Sequence, residues 1–294
     1  MLPLIRQLSN ARSRYFLTSS GMNIEYRQKG DPFADTIVML HGVGADCRIF
    51  LPNIDKLAER FHVLAVSLRG HGLSDKPRTL SEEAFSMDLM VRDLIELTWS
   101  LGVQSFHLVG HGIGAVVGYE LLTRDPNSLL SLTSMAAPAG QEGLKGALKI
   151  LQKATGLSTR ILGNHVKQAE VAAKMCSTDQ QVVAFLKEEV FYATDWSIAK
   201  LIRPLLTGKN YLEILAQASK CPILFIMGED DSIEKVTGNG RAMQETIEKL
   251  KDYPHVSTAS IPGAGYFPNL DQPNAFFVAL DMEFRKISQK GFGG

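Results

Sequence analysis

Hydrophobic residues occur along the chain in short unbroken runs, separated by stretches in which they recur every three to four positions. The runs end at glycine, proline or charged residues and lie at 36–40, 63–67, 106–109, 129–134 and 222–227. Such runs are typical of strands buried on both faces of a parallel sheet. Helical periodicity covers the intervening segments 49–60, 82–101, 115–124 and 241–250. Strands and helices therefore alternate, which predicts an α/β fold with a mostly parallel sheet.

The beginning of the chain follows a different pattern. Two extended segments, 15–20 and 23–28, flank Ser20-Gly21, a dipeptide that favours a hairpin turn. We expect these segments to form two antiparallel strands at one edge of the sheet. On the helix predicted at 82–101, Ser81 and Glu83 indicate the start.

One long segment contains no convincing strand. Between 139 and 219 the pattern is amphipathic and helical, at 144–154, 166–175, 180–191 and 198–206. A helical insertion of this size predicts a cap over the carboxyl edge of the sheet, where open α/β sheets bind ligands. The expected organisation is an N-terminal extension at 1–14, a core at 15–138 and 220–294, and a cap at 139–219. The alternative is that the insertion only enlarges the core.

Composition narrows the class of protein. With 45% hydrophobic and 21% charged residues, the 294-residue chain is expected to be a soluble globular protein. Basic and acidic residues are equal in number, 31 each, which favours neither a nucleic-acid partner nor an anionic membrane. No run approaches the roughly 18 apolar residues of a membrane span.

The cysteines and the N-terminal residues give indications of the cellular location of the protein. Cys47, Cys176 and Cys221 are far apart and odd in number, so neither a disulfide framework nor a metal cluster is expected, and the cytoplasm is the default location. Residues 1–20 carry three arginines and no acidic residue, as organelle transit peptides do, which leaves organelle targeting as the alternative.

Three glycine-rich turns follow predicted strands. They read H-G-V-G at 41–44, R-G-H-G-L-S-D-K-P at 69–77 and G-H-G-I-G at 110–114. Together they resemble the α/β-hydrolase superfamily, especially its epoxide-hydrolase and ester or C–C-bond hydrolase branch, over roughly 15–286. The resemblance implies an eight-stranded, mostly parallel sheet flanked by helices, with an inserted helical cap.

The same resemblance locates the catalytic positions and shows that two of them have changed. In the family the third glycine-rich turn carries the nucleophile at its centre, where this chain has Gly112. Glycine has no hydroxyl, thiol or carboxylate, so a covalent intermediate cannot form there. The segment G-Y-F-P-N-L-D-Q-P at 265–273 resembles the family's G-H-F-x-x-x-E-x-P, and Tyr266 takes the place of the histidine. A phenol ordinarily titrates near about 10 and is a poor base at neutral pH.

The same resemblance implies that the third position of the triad still carries an acidic residue. G-E-D-D at 228–231 resembles the family's acid turn, which makes Asp231 the candidate acid. The flanking glycines and prolines are in place while two of the three triad members differ. The sequence is therefore interpreted as a divergent member with a degenerate triad.

The remaining features of the site point to ligand binding. The resemblance implies that the backbone N–H groups of Val43 and Ile113 form an oxyanion hole, which does not depend on the missing side chains. The predicted binding residues are His41, Gly42, Val43, His111, Gly112, Ile113 and Tyr266. Tyr266 has three possible roles: to donate a hydrogen bond into the pocket, to donate to Asp231, or to fill the pocket. No cofactor or metal site is predicted, because the glycine motifs do not form G-x-G-x-x-G. Asp88 and Asp93 are expected to face solvent or to cap loops.

Three functions are compatible with these residues. The first is binding of a small, largely apolar carbonyl ligand, either for sensing or for lyase, isomerase or cyclase chemistry that needs orientation and an oxyanion hole. The second is hydrolysis without a covalent intermediate, in which Asp231 activates water and therefore needs a raised pKa. The third is a non-catalytic scaffold protein that could form a homodimer and whose pocket would be vestigial. The fold alone does not decide between them.

Overall fold

A computed structural model describes residues 8–77, 81, 83–140, 165–191, 209–230 and 239–289. In this part of the chain, eight strands form one sheet: β1 (Ser13–Leu17), β2 (Asn23–Lys29), β3 (Thr36–Leu40), β4 (His62–Val66), β5 (Phe106–His111), β6 (Leu129–Met135), β7 (Ile223–Gly228) and β8 (Val256–Ile261). Their order is β1-β2-β4-β3-β5-β6-β7-β8. β1 pairs antiparallel with β2, and β2 with β4; every other pairing is parallel. The predicted α/β class and mostly parallel sheet are confirmed.

The predicted strands lie close to the segments that the sequence indicated, with shifts of at most three residues at their ends. β1 begins at Ser13 and ends at Leu17, earlier than the predicted segment 15–20. β8 was not among the predicted runs, because its side chains are mostly half-buried or exposed and no continuous apolar run marks it.

Helices cover both faces of the sheet. Those described are α1 (Leu51–Leu57), α2 (Met87–Ser100), α3 (Ile113–Arg124), α4 (His165–Cys176), α5 (Gln180–Phe185), α6 (Leu212–Gln217), α7 (Asn239–Leu250), α8 (Pro268–Asp271) and α9 (Pro273–Gln289). Alternate residues of β3 point to opposite faces: Val38 and Leu40 join the cluster packed on α2 and α3, and Ile37 and Met39 join the cluster packed on α1 and α9. None of the described helices is both long enough and apolar enough to cross a membrane.

The helix predicted at 82–101 begins later than its apolar periodicity suggested. The Ser86 hydroxyl accepts a hydrogen bond from the Leu89 N–H group and caps α2, which starts at Met87. Ser81 instead accepts from the Ala84 N–H group, ahead of a short 3-10 turn at Glu83–Phe85. Ser81 and Glu83 therefore mark the 3-10 turn that precedes the helix, and the predicted helix start at 82 is wrong by five residues.

The long segment between β6 and β7 is helical where it is described. α4, α5 and a π-helical turn at Leu186–Val190 coincide with the amphipathic stretches at 166–175 and 180–191. Their apolar side chains, among them Val182 and Phe185, join the buried cluster that also contains Phe50 and Phe267. The helices predicted at 144–154 and 198–206 lie outside the described residues.

A buried ion pair holds the loop that follows β4. Nε and Nη2 of Arg69 each lie 2.7 Å from a carboxylate oxygen of Asp93 on α2, and both side chains are buried. Nη1 of Arg69 donates to the Ala84 carbonyl at 2.9 Å. Of the two roles expected for Asp93, exposure to solvent is wrong, because the side chain is buried, whereas contact with a neighbouring loop agrees with its bonds to Arg69. Asp88 on the same helix is exposed, as expected.

Replacing Asp93 with alanine should lower the free energy of unfolding by about 3–5 kcal/mol, because it leaves a buried guanidinium without its counter-ion. The matched control is Asp88→Ala, which removes a carboxylate from the exposed side of α2 and should cost less than about 1 kcal/mol. Urea unfolding monitored by circular dichroism measures both values. Equal losses in the two variants would contradict the assignment of the Arg69–Asp93 pair as a structural constraint.

Candidate functional site

The turn between β5 and α3 has the backbone geometry that glycine permits. Gly112 has φ +52° and ψ −119°, a conformation in which other residues are strained. A Cβ atom at this position would lie 3.4 Å from Cα of Gly42 and 3.8 Å from the Tyr266 hydroxyl oxygen, and Gly112 is partly exposed. A side chain at residue 112 would therefore project between the loop after β3 and the phenol of Tyr266.

Two backbone donors adjoin this turn. Ile113 is the first residue of α3, and the N–H groups of a first helical turn have no acceptor within the helix and carry partial positive charge. Val43 lies in the loop after β3, next to Gly42. Within the described part of the chain, neither the Val43 nor the Ile113 N–H group donates to a protein acceptor. Both donors have the chemistry needed to bind a ligand oxygen.

His111 joins three loops of the site. It is fully buried, and its Nε2 donates to the Tyr266 carbonyl at 2.9 Å. Its ring stacks on Phe267, with centroids 4.4 Å apart, and meets the Tyr266 ring edge to face at 4.6 Å. Nδ1 faces Cα of Gly42 and has no partner among the described residues. His111 therefore holds the Tyr266 loop against the turn after β5.

His41, one of the predicted binding residues, has a structural role. Its Nδ1 donates to the Gly42 carbonyl at 2.7 Å, and its Nε2 accepts from the Leu68 N–H group at 2.9 Å. The ring is fully buried and lies 4.9 Å from the ring of His71. His41 thus ties the loop after β3 to the end of β4, and neither ring nitrogen is free to contact a ligand.

The loop that carries Tyr266 is clamped by residues that the sequence did not single out. The Asp271 carboxylate accepts from the Gly265 N–H group at 2.7 Å and from the Ser177 hydroxyl. The Tyr266 N–H group donates to the Cys176 carbonyl at 3.2 Å, at the end of α4. The available signal was that Asp271 stands at the acidic position of G-H-F-x-x-x-E-x-P. Nothing in the sequence indicated Ser177 or Cys176.

Asp231 lies outside the described residues. The two residues before it are described: the Glu229 N–H group donates to the Ile261 carbonyl at 3.2 Å, and that of Asp230 to the Ala264 carbonyl at 2.9 Å. These bonds join the turn after β7 to the beginning of the Tyr266 loop. The structure thus brings together Gly42, Val43, His111, Gly112, Ile113 and Tyr266, with the acid turn alongside.

Several other serine and histidine side chains with catalytic chemistry are engaged in hydrogen bonds within the core. The Ser134 hydroxyl lies 2.6 Å from the Tyr119 hydroxyl, and His107 Nδ1 lies 2.8 Å from the Ser131 hydroxyl. Nε2 of His255 donates to the Leu215 carbonyl at 2.8 Å. Among the described residues, no group of three or more histidine, cysteine and acidic side chains is arranged to hold a metal ion.

The sheet order, the flanking helices and the glycine turn between β5 and α3 define an α/β-hydrolase fold. Comparison with family models agrees: the model described as serine aminopeptidase, S33, matches residues 31–259. The chain belongs to this hydrolase family.

Individual relatives agree with this family, and they differ in the length of chain over which they match. An uncharacterized hydrolase of Saccharomyces cerevisiae, YNR064C, is 24% identical over 260 residues, which cover 82% of this chain and 88% of the relative. The dihydrolipoyllysine-residue acetyltransferase component of the acetoin cleaving system of Cupriavidus necator is 32% identical over 130 residues, 44% of this chain. That match spans 33% of the Cupriavidus protein, so this chain corresponds to about a third of that relative.

Solved structures show the same fold. A structure from a study of Nitrososphaera gargenis carboxylesterases has a TM-score of 0.79 and 19% identity, covering 94% of this chain and 100% of its own. The enol-lactonase of Burkholderia xenovorans LB400 has a TM-score of 0.72 and 19% identity, covering 92% of this chain and 100% of its own. At this identity the likeness establishes the fold.

Buried neutral histidines should make the protein sensitive to acid. Burial is the main cause that lowers the pKa of four rings from 6.5, to about 4 at His41, His107 and His111 and to about 3 at His71. Below pH 6.5 the unfolded chain binds protons that the folded chain does not. Stability is therefore full above that pH and falls as the pH decreases toward 4.

When the pH is lowered from 7 to 5, each ring should decrease the free energy of unfolding by about 2 kcal/mol, and the four rings together by several kcal/mol. Urea unfolding at a series of pH values measures this slope. His107→Asn keeps a donor or acceptor near Ser131 and removes one titrating ring, so the slope of that variant should decrease by about a quarter. A free energy of unfolding that stays constant from pH 7 to pH 5 would contradict the neutral assignment.

Proposed function

We propose that the protein binds a small, largely apolar carbonyl compound at the Gly112 turn and does not form a covalent intermediate with it. The observation that carries this proposal is the geometry of Gly112, whose missing side chain leaves space directed at the Tyr266 hydroxyl, 3.8 Å from the Cβ position. In the family this position holds the nucleophile, and glycine cannot replace it. The site is thus suited to a ligand rather than to acyl transfer.

The ligand oxygen accepts hydrogen bonds from the Val43 and Ile113 N–H groups, and the phenol of Tyr266 donates from the opposite side. A carbonyl or enolate oxygen held in this way is polarised without any nucleophile. Orientation and electrostatic stabilisation of that kind contribute several kcal/mol to lowering a barrier. Lyase, isomerase or cyclase chemistry, or sensing of the ligand, fits such a site.

Residues 139–219 form the cap over this site in our proposal, and residues 15–138 and 220–294 form the core. The contact that supports a cap is the hydrogen bond from the Tyr266 N–H group to the Cys176 carbonyl, at the end of α4. Cys47 and Cys221 are buried free thiols, which is compatible with a cytoplasmic location.

A second candidate is hydrolysis by activated water, with Asp231 as the base. Two observations favour it: the family is one of hydrolases, and the turn that precedes Asp231 is bonded to the Tyr266 loop. It requires an Asp231 pKa raised toward neutrality and dependence of turnover on that carboxylate.

Hydrolysis of p-nitrophenyl acetate and butyrate separates the two candidates. We expect the unmodified protein to show no turnover above background and Gly112→Ser/Tyr266→His to gain measurable turnover, because the two substitutions supply a hydroxyl nucleophile and an imidazole base. The matched control, Gly112→Ala/Tyr266→His, adds the same backbone strain of about 1–3 kcal/mol without the hydroxyl and should stay inactive.

Turnover by the unmodified protein that disappears in Asp231→Asn would overturn the non-hydrolytic proposal in favour of the second candidate. Equal turnover by the serine and alanine double variants would show that residue 112 does not occupy the nucleophile position. Urea unfolding of each variant confirms that an inactive protein is folded.

A further inference from the structure

A cavity of about 200 Å³ lies at the amino ends of β7 and β8. Pro222 immediately precedes β7, Pro254 and His255 precede β8, and all three residues line the cavity. The Gly112 turn lies at the carboxyl end of β5, and β5 to β8 are parallel. A strand of six residues such as β7 is about 20 Å long. The cavity and the Gly112 turn therefore lie on opposite edges of the sheet.

The helix α9 supplies another part of the cavity wall. Glu283, Lys286 and Ile287 lie three and four positions apart, which places their side chains on one side of the helix. Most of the lining surface is apolar, and Ile287, Pro222 and Pro254 are among the residues that form it. A dry cavity of roughly 150 Å³ accommodates benzene. The volume here is therefore sufficient for one aromatic ring or a short alkyl chain.

A buried carboxylate lies in this wall. Glu283 is 5% exposed, and Nζ of Lys286 donates to its Oε2 at 3.4 Å. The Lys286 side chain is 53% exposed, and an ion pair with an exposed lysine contributes little. Among the residues that the structure describes, none donates to Oε1 of Glu283, and this oxygen remains accessible. Because a buried carboxylate is costly unless it is paired and hydrogen-bonded, Glu283 has the capacity to bind a further cation.

His255 offers a second acceptor on the same cavity. Its Nε2 donates to the Leu215 carbonyl at 2.8 Å, so that Nδ1 carries the lone pair in the neutral ring. Within the described part of the chain, no group donates to this Nδ1. The cavity thus combines apolar surface with two acceptors that lack donors, one of them negatively charged. A protonated amine complements both acceptors, because an ammonium group supplies a positive charge and three donors.

We propose that this cavity binds a small primary amine in its protonated form, with an aryl group or a short alkyl chain against the apolar wall. The ammonium group lies against Glu283 and takes the place of Lys286, whose exposed side chain turns into solvent. Because the cavity is on the opposite edge of the sheet from the Gly112 turn, the inference is independent of the proposed function.

Isothermal titration calorimetry of the full chain with benzylamine at neutral pH tests the site. Benzylamine is protonated at this pH, as an alkylamine such as lysine is. Benzyl alcohol has the same ring and the same length without the charge. It should bind about 10-fold more weakly or less, because a hydrogen bond to a charged group is stronger than one between neutral groups. Phenylacetate, an anion of similar size, should not bind.

Two substitutions separate the charges in the wall. Glu283→Gln keeps the size of the side chain and removes its charge, so the affinity for benzylamine should decrease about 10-fold, to that of benzyl alcohol. Lys286→Met keeps the alkyl chain and removes the competing cation, so the affinity for benzylamine should increase about 2- to 5-fold. The affinity for benzyl alcohol should stay the same in Lys286→Met. Urea unfolding shows that each variant is folded.

A second pair of substitutions locates the amine. Ser219 is exposed and lines the cavity, so Ser219→Trp should block the entrance and abolish benzylamine binding without disturbing the core. Lys220 is the next residue, is also exposed and does not line the cavity. Lys220→Trp is therefore the matched control and should leave the affinity unchanged.

Each result supports or contradicts the assignment. Weaker binding in Glu283→Gln together with tighter binding in Lys286→Met would support an ammonium site at Glu283. Equal affinities for benzylamine and benzyl alcohol, or an affinity that Glu283→Gln leaves unchanged, would overturn it. Benzylamine binding that persists in Ser219→Trp would show that the amine binds elsewhere. Absence of benzylamine binding to the unmodified protein would also overturn the proposal.

Discussion

The geometry of the candidate site depends on the close contact between the first turn of α3 and the end of β3. A Cβ atom at Gly114 would lie 2.3 Å from the Leu40 carbonyl oxygen, so a side chain at this position would push the helix away from the sheet. This contact fixes the Ile113 N–H group beside the loop that begins at His41. The two N–H groups proposed to bind the ligand oxygen, those of Val43 and Ile113, therefore depend on backbone packing for their position and not on a reactive side chain.

His111 extends this constraint to the loop of Tyr266 through one hydrogen bond and two ring contacts. Because the ring is fully buried, it remains neutral and its Nε2 keeps the donor role. The loops around Gly112 are thus held together whether or not residue 112 carries a nucleophile. The backbone arrangement of these loops therefore does not depend on the identity of the side chain at residue 112.

Apolar runs were enough to predict the buried strands and the α/β class, because a strand that is buried on both faces consists of consecutive apolar residues. β8 at the sheet edge has no such run, since its side chains are mostly half-buried or exposed. The sequence left Asp93 with two roles, exposure to solvent or capping of a loop, because its pairing with Arg69 depends on the fold and not on neighbouring residues. The glycine turn was found by its motif, whereas the Ser177–Asp271 contact joins residues 94 positions apart and has no local signature.

The hydrogen bonds from Tyr266 to Cys176 and from Ser177 to Asp271 connect the end of α4 to the loop that carries Tyr266. These two parts of the chain are far apart in sequence but are held in a fixed relative position. A displacement of α4 from the sheet would therefore also displace the backbone that carries the phenol, so the position of the Tyr266 hydroxyl is coupled to the docking of α4.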